Sequence, residues 1–140
     1  MKRIALTVAF AFCLAARSGA ETEPHEDPFS RYLFPPDRVI GHAQEIGLDE
    51  AQNTRIREEV QKAQPKFLDF QFAMQEEVGK LGRLLQEKPI DEAKVLSQID
   101  RVLTQERDIK RLHVSLLIRI KNLLTPAQQA KLTEMDKGGR

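Results

Sequence analysis

The sequence predicts an all-α protein built on a long, kinked antiparallel helical hairpin with two short flanking helices. Apolar residues recur every three or four positions over two stretches of about thirty residues, which is the period of an amphipathic helix. Prolines and capping residues stand between and around these stretches. Aromatic residues make up only 6% of the chain, and no stretch alternates as a strand would.

The first element is an export signal. Two basic residues precede an apolar run of 13 residues, Ile4–Ala16, and Ser18 and Ala20 place small residues at the positions required for cleavage. A transmembrane helix needs about 20 apolar residues, so this run is too short to remain as a membrane anchor. We therefore expect residues 1–20 to be a cleavable signal peptide, removed after Ala20.

The exported chain, residues 21–140, excludes several function classes. It has no thiol, because the only cysteine, Cys13, leaves with the signal peptide. It keeps 19 basic and 21 acidic residues, whereas a nucleic-acid partner favours a strong basic excess. No Ser-His-acid arrangement, phosphate-binding glycine loop or supported carboxylate pair is present, so we expect no enzyme activity and no catalytic residue.

The domain follows a polar tail. Residues 21–36 are predicted to be a disordered tail, residues 37–136 one helical domain, and residues 137–140 a disordered end. Asp37 is predicted to cap the first short helix, which runs to about Ile46 and ends at Gly47.

The first long helix begins after Asp49, and its apolar residues follow a heptad pattern. Pro65 lies within it and predicts a kink, because the carbonyl of Gln61 loses its donor there. Pairing across the hairpin places His113 opposite Pro65, and our hypothesis is that the His113 imidazole, or a water that it holds, satisfies the freed carbonyl.

The second long helix begins after Asp91, beyond a break at Pro89. A connection of a few residues between two long helices predicts an antiparallel hairpin. With the turn at Lys88–Ile90, residues whose numbers sum to roughly 178 face one another.

Similar capping motifs stand at the two ends of the hairpin. Each consists of a leucine, a capping residue, two further residues and a glutamine, which is the spacing of a capping box. The second motif starts the last short helix, with Pro126 at its first position. The motif residues are Leu48, Asp49, Gln52, Leu124, Thr125 and Gln128.

The second long helix is apolar nearly all round near its end. Val114 and Ile118 lie about 200° around the helix from Leu116, so one partner helix cannot cover both sides. Either the short helices cover this surface, or it binds a second copy or a client protein. The basic residues nearby form either a solvated face or part of such a site. The candidate client-binding residues are Phe72, Arg107, Lys110, Arg111, Val114 and Ile118.

Metal binding is the alternative. His42 and Glu45, at positions i and i+3, have a suitable spacing for zinc or nickel, although a site needs further ligands. His25 in the tail could supply one, and His113 has no ligand one turn away. Apart from this alternative, no cofactor is expected.

An exported helical chain with LTxxQ-type motifs before and after its hairpin resembles the Spy/CpxP superfamily. Leu124–Gln128 fits the motif fully, while Asp49 replaces threonine in the first copy. The likeness covers about residues 37–135 and implies a periplasmic, cradle-shaped homodimer.

The resemblance implies two kinds of function. One is an ATP-independent chaperone or envelope-stress accessory protein that binds unfolded envelope proteins on a cationic and apolar concave face, with a sensor kinase as a further candidate partner. The other is a heavy-metal binding or sensing protein, although its histidine clusters are missing here. We expect the first, with no nucleic-acid partner and no transmembrane anchor.

Overall fold

The computed structural model describes residue 29 and residues 32–138, a part of the chain that is helical and contains no strand. The helices are α1 (Pro36–Gly41), α2 (Ala43–Ile46), α3 (Glu50–Leu84), α4 (Glu92–Leu123) and α5 (Pro126–Gly138). The long helices α3 and α4 pack together as a hairpin with the short helices beside it, which confirms the predicted all-α fold class. The predicted signal peptide and most of the tail lie outside the described residues.

The chain enters the domain through buried residues that the sequence assigned to the tail. Leu33 and Phe34 are 8% and 3% exposed, so packing begins before the predicted domain boundary. Pro36 takes the first helical position, where its missing N–H is not needed. Pro35 therefore holds the cap position, and the prediction that Asp37 caps this helix is wrong; Asp37 lies in the first turn.

The first short helix is divided at His42. Its φ of −104° and ψ of 19° depart from helical values, so α1 ends before it and α2 begins after it. As predicted, α2 ends at Gly47, whose φ of 70° lies in the left-handed region that favours glycine. The predicted single helix is therefore two short ones.

Each long helix begins at the predicted carboxylate cap. Asp49 Oδ1 accepts from the Gln52 amide at 2.7 Å, and Gln52 Oε1 accepts from the Asp49 amide at 3.2 Å, so the capping box is complete. At the start of α4, Asp91 Oδ1 accepts from the Lys94 amide at 3.1 Å. α3 ends at Leu84, earlier than predicted, so the connection is longer than the predicted turn.

Polar contacts between α3 and α4 agree with the predicted antiparallel register. Arg119 Nη1 lies 3.2 Å from Glu59 Oε2. Nearer the turn, Gln98 Nε2 donates to the Glu77 carbonyl at 2.9 Å. Each half of the hairpin thus has a polar contact that opposes sliding of one helix along the other.

Pro65 lies inside α3, which continues to Leu84. No direct hydrogen bond joins His113 to the Gln61 carbonyl within the described chain, so the direct form of the hypothesis is wrong. His113 instead packs edge-on against Phe67, with ring centroids 6.4 Å apart. Gln61 and Pro65 are both exposed, so water can satisfy the freed carbonyl.

The hydrophobic core lies at the base of the hairpin, the end formed by the start of α3 and the end of α4. Val39, Ile56, Ile120 and Leu132, from α1, α3, α4 and α5, are fully buried there. Burying one such side chain contributes about 1.5–3 kcal/mol to folding. The core thus joins the short helices to the hairpin and fixes the end of α4.

Candidate functional site

A groove with a volume of 620 Å³ runs along the side of α4 that is turned away from α3. Val114 and Ile118 give it an apolar surface, and Ile118 is 45% exposed. Spacings of three and four residues place its principal side chains on one helical face. The lining residues are Phe29, Arg107, Lys110, Arg111, Val114, Ser115, Ile118 and Arg119.

Among the cationic side chains that line the groove, Arg107 and Arg119 form ion pairs with acids of the described chain. Arg107 Nε lies 3.3 Å from Asp108 Oδ1. Arg119 pairs with Glu59, and hydrogen bonds from Lys62 and Arg119 lower the pKa of Glu59 below its ordinary value. Because solvent screens these exposed pairs, both arginines still contribute positive electrostatic potential at the groove.

The other two cations differ in their surroundings. Lys110 Nζ lies 5.3 Å from the centre of the Phe29 ring, a cation–π contact. Arg111 is exposed and forms no ion pair with any residue of the described chain. Within the described chain, no carboxylate therefore competes with an anionic group for the Arg111 guanidinium.

Five of the six predicted client-binding residues line this groove, and Phe72 does not. Phe72 is 68% exposed on the side of α3 turned away from α4, so the hairpin separates it from the groove. The prediction also omitted Phe29 and Arg119. An isolated phenylalanine directly after Pro28, in a polar tail, is the signal that could have identified Phe29.

The two capping motifs meet at the base of the hairpin. The Thr125 amide donates to Gln128 Oε1 at 2.9 Å, and the Thr125 hydroxyl accepts from the Gln128 amide at 3.3 Å, which completes a second capping box. The side-chain amides of Gln52 and Gln128 then exchange two hydrogen bonds of 2.9 Å. We call this pair of glutamines the glutamine clasp.

Each glutamine of the clasp also donates to the carbonyl just before the other motif. Gln52 Nε2 lies 2.8 Å from the Leu123 carbonyl, and Gln128 Nε2 lies 3.0 Å from the Gly47 carbonyl. Gln128 is only 7% exposed, so its polar atoms depend on these partners. The sequence predicted two separate caps; the structure joins them in a nearly symmetric network.

The predicted metal pair is formed. His42 Nδ1 lies 2.7 Å from Glu45 Oε2, with the side chains 40% and 59% exposed. Among the described residues no group of three His, Cys, Asp or Glu side chains is placed to hold a metal ion. His25 lies outside them, and His113 packs on Phe67 away from this pair.

A protein-family model described as heavy-metal resistance matches residues 4–131, which include both long helices and both capping motifs. The chain belongs to the heavy-metal resistance family. This family is part of the clan of Spy/CpxP-like periplasmic proteins with LTxxQ motifs, so the predicted resemblance is confirmed at the level of the clan. Neither the curated proteins nor the solved structures give a match.

Members of the heavy-metal resistance family are typically periplasmic. Over the described part of this member, each helix is too short or too polar to cross a bilayer. The family match begins inside the predicted signal peptide and extends into α5. The groove and the clasp therefore both lie within the segment that defines membership.

Proposed function

We propose that this protein acts in the periplasm as an accessory of heavy-metal resistance that holds unfolded or damaged envelope proteins at the α4 groove. The observation that carries the proposal is the combination of exposed apolar surface and four cations in one groove. Contiguous exposed apolar surface with a polar rim is typical of interaction sites. Metals that bind unfolded chains favour unfolding, so a protein that holds such chains would serve resistance.

The chemistry of the groove suits weak and adaptable binding. Arginine and lysine stems can cover apolar surface while their charged ends remain in water. An unfolded acidic segment could place an apolar side chain against Ile118 and a carboxylate against Arg111. Neither contact needs a nucleotide or a fixed client sequence, which is the property expected of an ATP-independent chaperone.

An aggregation assay tests this proposal. The chain of residues 21–140 should lower the light scattering of a denatured model client, and Ile118→Ser and Arg111→Glu should each raise the amount of protein required. Leu103→Ser is the matched control, because Leu103 is 52% exposed on α4 but does not line the groove.

Two outcomes would count against the proposal. Unchanged aggregation at a several-fold molar excess of the unaltered protein would reject holding activity. Equal losses in Ile118→Ser and Leu103→Ser, with unaltered circular dichroism, would place the activity elsewhere on the hairpin.

A homodimer is part of the same proposal, since the resemblance implies one and the hairpin exposes apolar residues outside the groove. Sedimentation at several concentrations measures it directly. A monomer at the concentrations that suppress aggregation would show that one copy suffices. The sensor kinase stays a proposed partner, to be sought by crosslinking in the periplasm.

The contact between His42 and Glu45, together with family membership, favours zinc or nickel binding as a second function. The pair would supply two ligands, and His25 is the candidate third. Calorimetric titration of the exported chain should give binding that His42→Ala abolishes and His113→Ala leaves unchanged. Binding that persists in His42→Ala would remove this site.

A further inference from the structure

An acidic segment of the same chain leads into the groove. Residues 21–28 contain four carboxylates, Glu21, Glu23, Glu26 and Asp27, and no lysine or arginine. The next residue, Phe29, lines the groove and contacts Lys110. The N-terminal acidic stretch is thus covalently attached at the edge of the cationic groove.

The described chain shows at which end of the groove the acidic segment begins. The Tyr32 carbonyl accepts from Lys121 Nζ at 2.7 Å, whereas the Phe29 ring lies next to Lys110, about three turns earlier in α4. From Tyr32 back to Phe29 the chain therefore runs toward the start of α4. The acidic segment begins at the end of the groove where Arg107 and Arg111 lie beside Lys110.

The length and composition of the segment match the groove. Eight extended residues reach at most about 26–29 Å. Arg107 and Arg111 both lie within one turn of Lys110 along α4, so the segment is long enough to reach both from Phe29. Pro24 and Pro28 favour extended backbone before and at their own positions, the form in which a segment can follow a helix.

We propose that residues 21–28 dock in the α4 groove as an internal acidic occupant that a client must displace. The carboxylates neutralise the cations, above all Arg111, while Phe29 anchors the segment on the apolar surface. The docking depends only on the residues of the groove and on the sequence of the segment. The competition between this segment and clients rests on the proposed function.

Paramagnetic labelling tests the docking. The exported chain has no cysteine, so Thr22→Cys carries a single nitroxide label. We expect loss of amide NMR signals around residues 107–111 and retention over residues 126–135, at the base of the hairpin. Changing all four carboxylates to amides should restore the lost signals, as should about 0.5 M salt, which shortens the screening length to about 4 Å.

A mixture of labelled protein with unlabelled, isotope-enriched protein separates docking within one chain from docking between copies. Signal loss that also appears in the mixture, where the observed copies carry no label, would assign the groove to a second copy and overturn the proposal, as would signal loss that the charge-neutralised variant retains. Arg111→Glu should weaken the effect, and Arg55→Glu, an exposed site outside the groove, should not.

The aggregation assay then tests competition. The charge-neutralised variant should suppress client aggregation at a several-fold lower concentration than the unaltered chain. If signal loss is seen and this concentration is unchanged, the segment docks but does not compete. If no variant suppresses aggregation, the proposed function fails while the labelling result stands.

Discussion

The base and the turn end of the hairpin are stabilised differently. At the base, side chains from α1, α3, α4 and α5 share one core and two capping boxes are joined by the glutamine clasp. At the turn end, α3 and α4 are the only described helices that pack together, and Val95 and Gln98 are the buried residues of the first turns of α4. Large apolar side chains there are about half exposed: Leu85, Ile90, Leu96 and Leu103.

This difference indicates which part of the molecule can change shape at a small cost in free energy. Segments with few buried apolar contacts open with a lower free energy than the core. The α4 groove lies in the half of the helix nearer the base, so its backbone is held by the core. The turn end can open without disturbing the groove, and the two regions can be tested separately.

Truncating a side chain in the core should change the stability of the protein most. Leu132→Ala removes a fully buried side chain and should lower the free energy of unfolding by about 2–5 kcal/mol. Leu96→Ala, at the half-exposed turn end, should change it by less than about 0.5 kcal/mol. Urea unfolding followed by circular dichroism measures both. Similar losses would contradict the contrast between the two ends.

The glutamine clasp should give the next largest effect. Gln128→Ala leaves partly buried carbonyl and amide groups without partners, which should cost about 1–3 kcal/mol. Because Gln52 and Gln128 share one network, the loss in the double variant should be smaller than the sum of the single losses. The exposed Gln64→Ala serves as the control, and strictly additive losses would show that the two motifs act as separate caps.

The smallest effect is expected for stability at low pH, which depends on two carboxylates at the turn end. The Lys94 amide lowers the pKa of Asp91, and hydrogen bonds from Lys80 and then Gln98 lower the pKa of Glu77. A carboxylate whose pKa is lower in the folded state contributes stability at neutral pH that is lost as the pH falls through that lowered value. Stability should therefore decline as the solution is acidified below the ordinary carboxyl range.

Asp91→Ala isolates this effect. It removes the side chain that caps α4 and should lower the midpoint of thermal unfolding at pH 7. The difference from the unaltered protein should shrink on acidification, since a protonated Asp91 is a weaker acceptor. Thermal unfolding at several pH values measures it. A difference that stays constant down to the acid transition would exclude a role for the Asp91 charge.

Local sequence rules predicted much of the fold. The caps at Asp49, Asp91 and Thr125 and the stop at Gly47 depend on neighbouring residues, so their chemistry can be read from a few positions. The all-α class followed from helical periodicity. The error at Asp37 had a local cause too, because Pro35 and Pro36 place the cap of the helix two residues before this carboxylate.

Contacts between distant segments were harder to predict. The pairing of Gln52 with Gln128 joins positions 76 residues apart, and each motif taken alone gives only a cap. Phe72 was grouped with the groove because both lie off the apolar seams of the hairpin, but the off-seam sides of α3 and α4 are separated by the hairpin itself. Phe34 was assigned to the tail because the short apolar run Tyr32–Phe34, between a polar stretch and two prolines, gives no periodicity, yet Phe34 packs in the core.

The clasp has a consequence for the order in which the chain becomes structured. Its two halves are separated by almost the whole domain, and Leu132, beyond the second half, completes the core. When the chain emerges N-terminus first, the clasp and the core cannot both form until about residue 132 has emerged. If the protein is exported across the inner membrane as predicted, the clasp and the core remain unformed during passage, and α5 completes the fold on the far side.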